Sequence, residues 1–390
     1  MQVPLSNAQI FEDDIQAVVD TLRSGRIALG PQIRAFEEEL AARAGVSHAV
    51  ACSSGTAALH VLLEASGIGP GDVVLTTPFS FVASSNVLLM LGAVPFFVDI
   101  SRSTLMPSVP EVERGLRKLR SGEYVLPGES LPCDPARIKG MLLVDVFGMP
   151  APWEELELLA KQEKLLLFED SCEALGGRLE GRACGSFGVG GAFAFYPNKQ
   201  ITTGEGGVVV TENAEIASLC RSLINQGRDE SGTWLSHVRL GYNYRMSELT
   251  AALGRSQIAR LDGILEKRNQ VALRYQSLLG GLPGVLLPTP PAWTDLPSWF
   301  VYVIRLENPS ARQGVMEHLR NRGVECKPYF TPIPLQPFYA DRFGYREGDF
   351  PVMDEICSSV LALPFYTDLE LSAQEYVARC LEEALSHVAL

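Results

Sequence analysis

A mostly parallel α/β sheet flanked by helices, with a smaller α/β domain at the C-terminal end, is the fold class that this sequence predicts. Three observations carry it. From His48 onward short apolar runs alternate with helical stretches, as HAVAC, GTAALHVLLEASG, DVVLTT, FVASSNVLLMLGA and VPFFVDI; strands separated by a helix-length crossover pair in parallel. A Pro-rich segment, LLPTPPAWTDLP, is followed by a fresh strand and helix pattern, which sets a large domain over residues 1–280 beside a small one over 281–390. With 390 residues, 46% hydrophobic and 20% charged, the chain exceeds the usual span of one core and has the apolar residues for a large one.

Taken in order, residues 9–24 carry Ile15, Val18, Val19 and Leu22 at helical spacing and stop at Gly25, an amphipathic helix. A second helix follows Pro31, with Ile33, Phe36 and Leu40 on its inner face and Glu38 and Glu39 outside. The glycine-flanked GRIALG links the two. After the first β-α-β run, EVERGLRKLR reads as a helix, and SGEYVLPGESLPCDPARIKG, without periodicity, reads as an exposed loop. Alternation resumes with strand MLLVDVF, helix WEELELLAKQE and strands KLLLFED, AFAFY and GVVVTE, then a helix over about residues 214–225. Residues 247–280 read as one long helix, because Leu249 and Leu253, then Ile258, Leu261 and Leu265, recur at helical steps. The apolar face drifts between the two groups, so different neighbours are expected along its length. Beyond the linker come strand WFVYVIRL, helix ARQGVMEHLRNRG, strand VECKPYF and two helices around Met353 and Glu375.

Composition excludes several function classes. A formal charge of −13 argues against a nucleic-acid groove, and an anionic ligand would have to meet a local cluster of Arg, Lys and backbone N–H groups. Arg26, Arg228, Arg239, Arg245 and Lys327 are candidates, each equally readable as a solvated surface charge. The eight cysteines are scattered without close pairs, against both a zinc site and a disulfide framework, so no metal is expected. His60, within ALHVLL, reads as a packed side chain. No basic start precedes an apolar run, and no window approaches the roughly 18 to 20 apolar residues that cross a bilayer. A cytoplasmic location without membrane contact is the expectation.

In a doubly wound sheet ligands bind at the carboxyl ends of strands, so the residues just past each apolar run matter most. Three such ends agree. In ACSSGTAALH the chain passes from strand to helix through Ser53, Ser54, Gly55 and Thr56, offering hydroxyls, free N–H groups and the positive end of a helix dipole. This reads as a phosphate seat or as an ordinary helix cap. Asp170 ends the run LLLFE; a carboxylate there serves either a protonated ring nitrogen or the N–H groups of Glu173 or Ala174. Lys199, in AFYPNKQITTGEGGVVV, stands between two buried strands with no acidic neighbour before Glu205. It reads as a hairpin-tip lysine in water or as a chemical group. A phosphate cup, an acid for a ring nitrogen and a lysine for an imine are together the parts that hold pyridoxal 5′-phosphate. The glycines that follow Lys199 would let the backbone pass close to that cofactor.

The strings PLSNAQI, SSGTAAL, GAVPFFVDI, FEDSCEALGG, FYPNKQITTGEGG, LGYNYRMSEL and PLQPFYADRFGY, in this order, resemble the DegT/DnrJ/StrS family of nucleotide-sugar aminotransferases along nearly the whole chain. The resemblance implies the fold-type I pyridoxal-phosphate architecture and a homodimer with active sites at the subunit interface. It further implies transfer of an amino group, usually from glutamate, to a keto sugar linked to a nucleoside diphosphate. By position it assigns Lys199 to the Schiff base and Asp170 to the ring nitrogen, and places Gly55 and Thr56 at the phosphate. Phe81 becomes the ring-stacking aromatic, and Asn225 the residue lent to the partner's cofactor phosphate.

Departures from the family pattern leave the cofactor assignment intact and bear on the sugar specificity. Glu173 stands where Gln or His is common, and its carboxylate would repel the cofactor's phenolate oxygen unless protonated or turned away. Ala194 replaces a common phosphate-binding serine, Pro334 a common histidine, and the loop around 121–139 is longer than usual. Related sugar dehydratases carry histidine at the lysine position, so Lys199 argues for amino transfer. The alternative from another class is a cofactor-binding regulatory protein of the same fold without turnover.

Overall fold

Runs of Val, Leu and Phe that are apolar at successive positions fit strands covered on both faces, and seven of them pair into one buried sheet. In the computed structural model, which describes residues 1–126, 129–229 and 235–388, they are β1 (His48–Cys52), β2 (Val73–Thr76), β3 (Val94–Phe97), β4 (Ile138–Val144), β5 (Leu166–Asp170), β6 (Gly190–Ala194) and β7 (Gly207–Thr211). Their order across the sheet is β1-β7-β6-β5-β4-β2-β3. β2 pairs in parallel with β3 and β4, and β5 with β4 and β6. β7, reached from β6 by a hairpin connection, runs antiparallel to both of its neighbours.

Pleating sends alternate side chains to opposite faces, and both faces are covered. Val209 and Leu142 join Val50, Leu59, Leu62 and Leu223 on one face. Val208 and Val210 pack on the other beside Phe36 and Ile258, while Met141 and Leu143 enter a larger cluster there. Helices α1 (Glu12–Arg23) and α2 (Pro31–Ala44) precede the sheet; α3 (Gly55–Ala65) and α4 (Ala83–Met90) follow β1 and β2. At the C-terminal end the strands Val285–Leu286, Tyr302–Leu306 and Val360–Leu363 form an antiparallel sheet, with helices Arg312–Asn321 and Leu371–Val388. Its buried side chains, including Tyr302, Leu319 and Leu363, belong to the same apolar cluster as Leu75 and Leu143.

Four expectations change. The long helix over 247–280 is two, Glu248–Ile258 and Leu261–Leu279, broken at Arg260, whose guanidinium turns to the buried Asp14 at 2.5 Å. VECKPYF forms no strand: it makes isolated bridges, Val324 to Val3 and Lys327 to Ala362, and Pro328 has no N–H for a ladder. The irregular loop is not wholly exposed, since Leu126 and Cys133 are buried in the core; Pro127 and Gly128 within it lie outside the described residues. In α1 the apolar residues Ile15 and Leu22 remain exposed while Asp14 and Thr21 are buried. Sequence periodicity marks an apolar stripe, but not whether the same chain covers it.

One buried cation ties the C-terminal segment to the helix Leu261–Leu279. Arg268, only 3% exposed, donates through Nε to the Trp299 carbonyl at 2.8 Å and through Nη2 to the Phe300 carbonyl at 2.7 Å. Burial pushes its pKa down to about 10, a cost met by binding carbonyls that would otherwise be orphaned. Replacing Arg268 by Met leaves both acceptors unpaired in the core, so urea unfolding should show a loss of about 3 kcal/mol.

Candidate active site

Strand register gathers the chemistry at one edge of the sheet. Gly207 pairs with both Cys52 and Ala194, and Asp170 pairs with Val144 and Ala192, so β1, β4, β5 and β6 end side by side. β1 leads into α3 through Ser54, whose Oγ caps the helix by accepting from Ala57 N–H at 3.1 Å. The N–H groups of Gly55 and Thr56 open that helix, where no intrahelical acceptor exists. β7 presses against this turn: a Cβ on Gly207 would lie 2.4 Å from the Ser54 carbonyl. A glycine is needed there for backbone packing as much as for any ligand.

Lys199 is not a hairpin tip in water. The segment from 195 to 206 folds back on itself, with Phe195 N–H on the Gly206 carbonyl and Thr203 N–H on the Phe195 carbonyl. Gln200, buried, donates to the carbonyls of Glu173 at 2.6 Å and Ser298 at 3.1 Å. Held this way, the Lys199 side chain is 13% exposed, with Nζ 3.9 Å from the centre of the Phe300 ring.

A cavity of about 460 Å³ opens at this edge and brings together Ser54, Gly55, Thr56, Phe81, Asp170, Glu173 and Lys199. Asp170 is nearly buried; one oxygen accepts from Ser84 Oγ at 2.6 Å and the other from Cys172 N–H at 3.1 Å. It caps neither Glu173 nor Ala174: the N–H of Ala174 goes to the Ser171 carbonyl. Glu173 faces the cavity, with one oxygen on Phe147 N–H at 2.8 Å and the other 3.8 Å from Lys199 Nζ. Burial pushes its pKa up to about 7, against the pull of Lys199 and of the Phe147 N–H. Phe81 stands at the mouth, 61% exposed.

Asn225 is outside the cavity. It ends the helix Ala214–Ile224, and its side-chain oxygen accepts from Arg245 at 2.8 Å. Arg26, Arg228, Arg239, Arg245 and Lys327 do not line the cavity either, and Lys199 is the cation among the described residues that do. His60 is buried against Tyr242 and Tyr244, as its setting in an apolar helix suggests.

Several lining residues had no signal in the sequence. Phe300, Tyr329 and Phe330 arrive from the C-terminal segment. Phe300 is placed through Gly148, whose φ of +84° and lack of a side chain admit the backbone of Trp299 and Phe300: a Cβ would lie 2.8 to 2.9 Å from their nitrogens. Ser84 could have been suspected from its place near the start of the helix after PFSF, the stretch that also carries Phe81.

A lysine amine, a carboxylate already oriented by two donors, an open helix N-terminus and an aromatic ring around one cavity match the amine, cation, anion and flat-ring chemistry of pyridoxal 5′-phosphate, so the residues fit that group. Fold and site thus define a pyridoxal-phosphate-dependent aminotransferase. Comparison with known proteins agrees: the chain belongs to the DegT/DnrJ/EryC1/StrS aminotransferase family, whose model matches residues 8–382. It is 33% identical over 381 residues to the spore coat polysaccharide biosynthesis protein SpsC of Bacillus subtilis, covering 94% of this chain and 93% of SpsC. Among solved structures it resembles DesV of S. venezuelae, with 32% identity, TM-score 0.87 and 98% of each chain covered. It also resembles Helicobacter pylori PseC, described as an aminotransferase of pseudoaminic acid biosynthesis, with 25% identity, TM-score 0.90 and 99% and 100% of the two chains covered.

Behind Asp170, on the opposite side of β5, lies a second acidic group. Asp145, Glu169 and the Cys184 thiol are buried with ligand atoms within 4.8 Å of one another, a cluster that the scattered sequence positions do not reveal. Asp145 accepts from Ala151 N–H, Trp153 Nε1 and Ser171 Oγ, and Glu169 from Phe187 N–H. Burial raises Asp145 to about 6 and Glu169 well above its ordinary value, so the pair retains protons that an unfolded chain would release. For Asp145, raised in this direction, the stability is full below about pH 4 and is lost as pH rises through about 6. Urea unfolding should show wild type losing more stability than Asp145→Asn across that interval; equal losses would show that the pair does not titrate there.

Proposed function

We propose that this protein moves an amino group from glutamate to the keto carbon of a sugar carried on a nucleoside diphosphate. The observation that carries the reading is the convergence of Lys199, Asp170 and the N-terminus of α3 on one cavity. The roles of SpsC in spore coat polysaccharide biosynthesis and of PseC in pseudoaminic acid biosynthesis support a sugar acceptor. With both the lysine and the carboxylate present and facing the cavity, turnover is favoured over a purely regulatory role.

The cofactor, when bound, supplies the electron sink that lets a proton leave the carbon bearing the amino group. Lys199 Nζ is the proposed attachment point and afterwards the base that moves that proton. Asp170, held by Ser84 and Cys172, keeps the ring nitrogen protonated. Ser54, Gly55 and Thr56 bind the phosphate at the helix N-terminus, Phe81 stacks on the ring, and Glu173 lies beside the lysine. Residues 1–280 act as the cofactor-binding domain, and 281–390 as a small domain that contributes Phe300, Tyr329 and Phe330 to the cavity wall.

A homodimer is part of the proposal. Ile15, Leu22, Ile27 and Leu29 leave an apolar surface on the N-terminal segment of a single chain, one that a second copy would cover. Asn225, outside its own cavity, is then available to the partner's phosphate, and a diphosphate ligand needs cations beyond Lys199. Eight free cysteines, and no helix among the described residues long and apolar enough to cross a membrane, support a cytoplasmic setting.

Purified protein loaded with pyridoxal 5′-phosphate should be yellow, lose that absorbance on adding glutamate and regain it with a keto sugar nucleotide. Lys199→Ala should lower turnover by at least about 100-fold and abolish the yellow band. Absence of bleaching with every amino donor tried would sink the transaminase reading.

A further inference from the structure

Glu173 occupies an unusual place for an acid. It is 5% exposed, fixed on one side by the Phe147 N–H at 2.8 Å, and its free oxygen points to Lys199 Nζ at 3.8 Å. The other buried cavity acid is engaged: Asp170 gives its oxygens to Ser84 and Cys172. Nor is the ammonium of Lys199 well hydrated, because Phe300 covers it at 3.9 Å. A fully charged pair at such a site loses hydration on both members, and Coulomb attraction only partly restores it. The neutral arrangement, acid and amine, has the same net charge and avoids that loss.

We propose that Glu173 is a catalytic proton carrier: it takes a proton from Lys199 Nζ and returns it, so that the lysine becomes a free amine without a proton leaving the cavity. The N–H bond at Nζ breaks with its electron pair remaining on nitrogen, an O–H bond forms at Glu173 Oε1, and the charge of the pair stays zero. The 3.8 Å separation is longer than a hydrogen bond and closes by a small side-chain turn or through one water. Burial, which pushes Glu173 up to about 7, suits it to exchange near neutrality. Lys199 and the Phe147 N–H oppose that rise, while Asp170 and Asp145 add to it. Tyr329 and Cys172 are the other titratable groups whose charges couple to Glu173. The inference rests on Lys199 being the cofactor lysine.

The test uses the cofactor-free protein. Lys199 is acetylated with acetic anhydride across pH, and its rate is read from the Lys199 peptide by mass spectrometry. Wild type should show two steps, because free amine first appears through the neutral pair and then by loss of the second proton. Glu173→Gln keeps an acceptor for Phe147 but cannot exchange the proton, and should show one step. In loaded enzyme the same variant should lower kcat about 100-fold with KM within about twofold. A single-step wild-type profile overturns the proposal even if the variant does not fold; so does a variant that retains both steps, whatever its kcat. Failure of the parent reading is separate: borohydride treatment with pyridoxal 5′-phosphate would then leave no pyridoxyl mass on Lys199.

Discussion

The side-chain amide of Gln200 is the contact on which the site most depends. It bonds the carbonyls of Glu173, just past β5, and Ser298, in the C-terminal segment, and so fixes the turn that carries Lys199 against two distant parts of the chain. A lysine side chain left free on a loop samples many rotamers and keeps its ammonium in water. Here the neighbouring backbone is pinned, Phe300 lies under Nζ, and Glu173 closes the other side. Arg268 supports the arrangement from behind by holding the carbonyl of Phe300.

The pleat of β5 sorts two acids into different chemistry. Glu169 and Asp170 are adjacent in sequence, so their side chains leave opposite faces of the sheet. Asp170 meets donors from α4 and from the turn that follows, and opens onto the cavity. Glu169 meets Phe187 N–H and lies close to Asp145, where burial keeps protons on the pair. Glu173, one turn further on, is intermediate: buried, yet beside a cation. Three carboxyls within five residues thus face three different settings, and burial raises the proton affinity of Glu169 and Glu173.

Much of the architecture was legible because it rests on local patterns. Alternating apolar runs and helices locate the strands from β1 to β7, and strand ends locate Ser54, Gly55, Thr56 and Asp170, because ligand edges in such sheets follow from topology. Misreadings arose where a local pattern is blind to its partner. The helix over 247–280 breaks at Arg260, where the guanidinium meets the buried Asp14, more than two hundred residues earlier. VECKPYF looks like a strand, yet Lys327 makes only a bridge to Ala362, and Tyr329 and Phe330 turn to the cavity.

The sequence by itself determined the sheet, its helices, the lysine between two strands and the family that those motifs define, since each is written in contiguous residues whose periodicity or spacing carries the physics. Only the tertiary structure decided what each chemical group faces. It set Glu173 against Lys199, Ser84 against Asp170 and Phe300 beneath the ammonium, and it left Asn225 outside the cavity of its own chain. The reason is that proton affinity and orientation depend on burial and on neighbours within a few ångströms, and those neighbours come from chain segments that no local pattern connects.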